Sequence, residues 1–95
     1  MQAIRRFDNK DSLDKEYKMK AYVFMHIRAG SLPEVVRNLR RLDGVVDAHM
    51  TFGPYDVVAV IEANDVNKLG KLVAGQIQPI PGVNDTVTSV VVETN

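Results

Sequence analysis

The sequence predicts an α+β fold in the order β-α-β-β-α-β, one antiparallel four-stranded sheet with two helices on one face. Three observations predict it. Four stretches alternate apolar residues with period two. Two stretches between them carry apolar residues at helical spacing. A Gly-Pro pair joins the second alternating stretch directly to the third, so those two form an antiparallel hairpin.

The first strand is Lys20 to Arg28, KAYVFMHIR. Ala21, Val23, Met25 and Ile27 share one face; Tyr22, Phe24, His26 and Arg28 share the other. The first helix follows in AGSLPEVVRNLRRLDG, where Ser31 and Glu34 have the spacing of a capping box and Pro33 is tolerated in the first turn. Leu32, Val35, Val36, Leu39 and Leu42 make its apolar stripe. Gly44 stands where a helix end often needs a left-handed residue.

Val45 to Phe52 is the second strand, Gly53-Pro54 the turn, and Asp56 to Glu62 the third strand. Asn64 or Asp65 caps a second helix with a buried stripe of Val66, Leu69, Leu72, Val73 and Ile77. Gly70 and Gly75 each cost roughly 1 kcal/mol against Ala there, which suggests close packing against that helix. Pro79 and Pro81 end it, and Val83 to Val92 is the fourth strand. "LDGVVDA" and "IPGVNDT" echo each other, placing Gly-Val-x-Asp at the start of a strand after each helix. Two βαβ halves with right-handed crossovers give the ferredoxin-like sandwich.

The 95 residues suit one domain. Residues 1–18 are mostly polar and read as an N-terminal extension; the compact domain is 19–95. An apolar share of 45% is ordinary for a globular chain, and the formal net charge is zero. The basic excess of a nucleic-acid binder is missing. With no cysteine, disulfides, thiolate metal sites and cysteine nucleophiles are excluded. No run approaches the ~18 apolar residues of a membrane span, and the first residues have no signal-peptide core, so a cytoplasmic location is expected.

The face of the sheet away from the helices should alternate to polar residues. Instead the third strand reads Val57, Val58, Ala59, Val60, Ile61, the fourth ends Val90, Val91, Val92, and the first offers Tyr22 and Phe24. Four such side chains leaving water gain on the order of 6–12 kcal/mol before the cost of association. A second copy packed sheet to sheet is the expected cover, giving a dimeric α+β barrel.

Two segments then resemble a known family. "TFGPYDVVAVIEA" is similar to the Gly-x-[Phe/Tyr]-Asp hairpin of the ligand-binding domain of the Lrp/AsnC, or feast/famine, transcription regulators. "IQPIPGVNDTVTSVVV" resembles that family's passage from last helix to last strand. The resemblance covers about residues 19–93. It implies a stand-alone effector-binding (RAM) domain, since the 18 residues before it are too few for a helix-turn-helix; direct DNA binding is not expected. It also implies a homodimer assembling into octamers or decamers and an amino acid or related metabolite as ligand; a competing reading is a structural partner that co-assembles with a full-length Lrp/AsnC regulator and binds no small molecule. The Gly-x-Tyr-Asp turn would contribute to the ligand pocket.

A free amino acid needs an acceptor for its ammonium and donors for its carboxylate. Asp56 suits the first, Gly53 and Pro54 let the ligand approach the backbone, and Tyr55 suits a wall. Thr86 and Thr88 alternate onto one face of the fourth strand and could supply hydroxyls. Plainer readings stand beside these: turn chemistry for Gly53-Pro54, an Asx-type contact for Asp56, a rim position for Tyr55, strand propensity for the threonines. His26 and His49 read as packed or surface histidines rather than metal ligands, and Arg37, Arg40 and Arg41 as a solvated helix face. No cofactor or metal is expected. The same architecture hosts small monooxygenases and isomerases, so an enzyme is the alternative, although no nucleophile-base pair or cofactor motif appears.

Overall fold

The structure, a computed structural model, describes residues 18–92. The expected extension therefore lies, except for Lys18, outside the described residues. The elements are β1 (Met19–Ile27), α1 (Leu32–Arg40), β2 (Val45–Met50), β3 (Val57–Ala63), α2 (Val66–Leu72) and β4 (Val83–Val90). A π-helical segment, Val73–Ile77, continues α2. The antiparallel sheet runs β2-β3-β1-β4, as the ferredoxin-like reading requires.

Alternation in β1 and β3 decides where the core sits. Ala21, Val23, Met25 and Ile27 of β1 and Val57, Ala59 and Ile61 of β3 are buried. They meet Val35, Val36 and Leu39 of α1 and Leu69, Leu72, Val73 and Ile77 from α2 and its extension. At ~1.5–3 kcal/mol for each large apolar side chain, this layer supplies the main favourable term in folding.

Two glycines close the two halves in equivalent ways. Gly44 (φ 94°) precedes β2 and Gly82 (φ 102°) precedes β4. A Cβ on Gly44 would come within 2.9 Å of Leu72 Cδ2, and one on Gly82 within 2.7 Å of Ser31 Cβ. Backbone conformation and space both demand glycine, which explains the Gly-Val-x-Asp echo.

Several expectations change in detail. The Ser31–Glu34 capping box does not form. Ser31 sits at φ −103°, ψ 0°, without a side-chain cap bond, instead of the extended conformation that turns a cap oxygen toward the helix. Its side chain packs on Gly82. Asp65 is the working cap: extended at φ −152°, ψ 173°, it accepts from the Lys68 N–H at 2.8 Å.

The second helix loosens into a π turn, with the Gln78 N–H bonded to Val73 O at 2.8 Å. Gly70 and Gly75 have open space around them, so close packing within the chain is not their purpose. Val66, in the first turn of α2, is exposed rather than part of the buried stripe. Arg40 is engaged rather than solvated: Nε and Nη2 donate to Ala48 O at 3.2 and 2.7 Å, occupying a carbonyl of the edge strand β2.

The open face is narrower than expected. Across the sheet, Asp47, Val60, Tyr22 and Ser89 form one row, and His49, Val58, Phe24 and Val87 the next. Val90 pairs with Ala21 and so lies on the helix side, and β4 stops there. The apolar patch is thus Tyr22, Phe24, Val58, Val60 and Val87, bordered by polar residues. Tyr22 is 39% exposed and Val87 46%.

Candidate functional site

The β2–β3 hairpin ends in the turn Gly53-Pro54-Tyr55-Asp56, beside the C-terminal end of β1. Gly53 has φ 143°, a conformation open to glycine, and space around it. Gly53 and Pro54 are exposed, Tyr55 and Asp56 half-buried, and the turn is firmly held. Thr51 N–H donates to Asp56 O at 2.9 Å, and Asp56 N–H to Met25 O at 2.9 Å. The Thr51 hydroxyl donates to Tyr55 O at 2.8 Å. Asp56 Oδ2 accepts from the Ile27 N–H at 2.8 Å. The carboxylate therefore anchors the turn to β1 across elements, not within its own turn.

Tyr55 folds back over the open face. Its ring stacks on His26 at 4.6 Å between centroids, tilted 26°, and lies 5.6 Å from Phe24. His26 contacts Asp85 Oδ1 through Nδ1 at 2.8 Å and Pro54 O through Nε2 at 2.7 Å. Those partners raise its pKa above the ordinary histidine value: first the hydrogen bond to Asp85, then that to the Pro54 carbonyl.

The structure therefore brings Gly53, Pro54, Tyr55 and Asp56 together and adds His26 and Asp85, two residues the ligand reasoning passed over. Thr86 and Thr88 are not part of this cluster within one protomer. They pair with Met25 and Val23, whose side chains face the helices. Thr86 also accepts from Gln78 Nε2 at 3.0 Å. Period two was enough to place His26 on the face of Tyr22 and Phe24; what the sequence lacked was the pairing that puts Asp85 opposite it.

A second pair lies across the same face, His49 Nε2 to Asp47 Oδ2 at 2.9 Å. Its hydrogen bond holds the Asp47 carboxyl below the ordinary range, helped by the Ala48 N–H and the nearby Arg40. Among the described residues no group of three or more His, Asp or Glu is arranged to hold a metal. None of their helices is long and apolar enough to cross a membrane. An open groove of about 540 Å³ at the other end of the sheet mixes Lys68 and Lys71 with Asp43 and Glu62. No buried polar group lines it, since the described residues have none.

The fold agrees with comparisons to known proteins. The family model described as the Lrp/AsnC ligand binding domain matches residues 20–95. The transcriptional regulator Ptr1 of Methanocaldococcus jannaschii is 30% identical over 78 residues, covering 82% of this chain and 53% of Ptr1. The regulator FL11 of Pyrococcus horikoshii is 33% identical over 79 residues, covering 83% and 52%. This chain thus spans about half the length of these curated relatives.

Among solved structures, TTHA0845 from Thermus thermophilus superposes with a TM-score of 0.77 at 26% identity, covering 81% of this chain and 96% of that one. The regulator NMB0573 of Neisseria meningitidis, solved as a complex with L-Met, gives 0.77 at 17% identity over 98% and 60%. At that identity the likeness is one of fold. With the model spanning residues 20–95, the chain belongs to the Lrp/AsnC family of transcription regulators through its ligand-binding domain.

Proposed function

We propose that this domain senses a small amino acid or related metabolite for transcription regulation, binding it at the Gly53–Asp56 turn and assembling through the open sheet face. The observation that carries this reading is the turn itself: exposed at Gly53 and Pro54, half-buried at Tyr55 and Asp56, and fixed by hydrogen bonds to β1 and to its own hairpin. A pre-organised site binds without ordering cost. Asp56 would meet the ligand ammonium with its second oxygen, Oδ1, while Oδ2 keeps the Ile27 N–H. Gly53 and Pro54 would let the ligand reach the backbone, and Tyr55 would wall it.

A turn this open needs a second wall, which a neighbouring copy would supply. Thr86 and Thr88 would contribute hydroxyls only from such a copy. The patch of Tyr22, Phe24, Val58, Val60 and Val87, ringed by Asp47, His49, Asp85 and Ser89, has the apolar centre and polar rim of a protein interface. Pairs formed there would build rings of octamer or decamer type. The amino acid carried by NMB0573 makes L-Met a natural first ligand.

The test is a thermal-shift screen with the twenty amino acids at millimolar concentration, with light scattering for mass. A ligand at 100 times its Kd adds ~2.7 kcal/mol, roughly 10–20 °C for a domain this small. Asp56→Asn retains an acceptor for Ile27 but removes the charge, so it should keep the unliganded midpoint and lose the shift. Twenty silent amino acids would overturn the sensor reading. A monomer of 10.6 kDa at micromolar concentration would overturn the assembly.

A further inference from the structure

His26 is placed between two groups that accept hydrogen bonds and have no proton to give. Pro54 contributes a backbone carbonyl oxygen, 2.7 Å from Nε2, and Asp85 a carboxylate oxygen, 2.8 Å from Nδ1. Both contacts can be hydrogen bonds only if both ring nitrogens carry protons. The geometry is that of an imidazolium, spanning from the hairpin turn on one side of β1 to β4 on the other. Tyr55 stacks on its ring.

We propose that His26 is the positioning residue of the Gly53–Asp56 turn: as an imidazolium it pins Pro54 to Asp85 on β4, and loss of its proton releases the turn. Effector binding at that turn thereby becomes proton-dependent, a consequence that rests on the effector-site reading above.

Which bond breaks follows from the partners. A neutral imidazole keeps one N–H. Retaining it at Nδ1 preserves the bond to an anionic acceptor, which is about twice as strong as one to a neutral carbonyl. The proton therefore leaves Nε2 for solvent, and the remaining lone pair faces Pro54 O at a distance that only a hydrogen bond makes favourable. The Pro54 contact opens and the Asp85 contact stays.

The charges around the ring agree. Asp85 faces it from β4, and Asp56 acts on it from the turn, both favouring the cation. Tyr55 stacks on the ring from the turn, and Arg28 follows two residues on along the chain. The folded-state pKa is raised, so the pin is complete below the ordinary histidine value of about 6.5 and is lost as pH rises through the higher folded value. That window opens above the ordinary histidine value.

The experiment is an NMR titration of the protein without ligand, following the His26 ring nitrogens and the Gly53, Tyr55 and Asp56 amides. Expected are two protonated ring nitrogens at pH ~6 and a midpoint above ~6.5. The turn amides should shift with that same midpoint. Asp85→Asn should lower it, and His26→Gln should leave the turn amides flat from pH ~5.5 to ~8.5. A neutral His26 with one N–H at pH ~6, or turn amides that ignore its titration, would overturn the proposal.

L-Met binding is then measured across the same range. Affinity that falls through the His26 midpoint in the natural protein, and is level in His26→Gln, supports the coupling. Affinity independent of pH in both overturns the coupling. A titrating turn with none of the twenty amino acids bound at any pH supports the pin and refutes the sensor reading, so the two fail separately.

Discussion

Gly82→Ala is the sharpest test of how the two halves of the fold close. Gly82 sits at φ 102°, and a Cβ there would lie 2.7 Å from Ser31 Cβ and 3.1 Å from Val35 Cγ2. The left-handed conformation costs a side-chain-bearing residue ~1–2 kcal/mol. The overlap adds roughly 1–3 kcal/mol, because Ser31 Cβ is fixed to backbone and has no rotamer to escape into. The sum, ~2–5 kcal/mol, is a large share of the ~5–15 kcal/mol that holds a domain together. Urea unfolding followed by circular dichroism, at one fixed protein concentration, should show a lower midpoint with an unchanged slope. Gly75→Ala is the control: with open space around it, it should be neutral or gain up to ~1 kcal/mol. Ser31→Gly in the Gly82→Ala background removes the struck atom and should restore ~1 kcal/mol or more. A loss under ~1 kcal/mol for Gly82→Ala, or no recovery in the double variant, would refute the reasoning.

Two further variants test the caps and the turn by the same assay. Asp65→Ala should cost ~0.5–2 kcal/mol because its carboxylate holds the Lys68 N–H, whereas Ser31→Ala, which loses no cap bond, should stay within ~0.5 kcal/mol; the reverse order would refute the assignment of the working cap. Asp56→Ala should cost ~1–3 kcal/mol without any ligand, since Ile27 N–H loses its partner, while Asp56→Asn should stay within ~1 kcal/mol; equal losses would show that the carboxylate's charge, not its acceptor, holds the turn.

Much of the fold was legible because periodicity is a direct image of which side faces the core. Alternation in KAYVFMHIR placed Ala21, Val23, Met25 and Ile27 inside, and all four are buried. Helical spacing did the same for Val35, Val36, Leu39, Leu69 and Leu72. What failed were inferences that depend on a backbone angle or on a neighbour distant in sequence. The Ser31–Glu34 spacing suits a capping box, but Ser31 sits at ψ 0° beside Gly82 and makes no side-chain cap bond. Val66 has the right residue type and the wrong place, in the first turn where α2 begins. Arg40 reads as solvated until β2 brings Ala48 O beneath its guanidinium.

The candidate site shows the same limit more sharply. The turn could be read because Gly-Pro-Tyr-Asp is local in sequence, and its conformation is largely set by Gly53 and Pro54. His26 could not, because its partners lie 59 residues ahead and 28 residues ahead. Pairing also departs from regular register between His26 and Ile27. A regular antiparallel ladder that pairs Met25 with Thr86 and His26 with Asp85 would place Asn84 opposite Ile27; Val83 stands there instead. The irregularity comes directly after the His26–Asp85 pair, at the residue whose N–H is taken by Asp56 rather than by a strand. Ile27 gives its N–H to the Asp56 carboxylate on the β3 side of β1, while its neighbour, His26, reaches Pro54 with one ring nitrogen and Asp85 with the other. The turn is fixed to β1 by a carboxylate and to β4 by an imidazolium, and loss of the imidazolium proton undoes the second attachment.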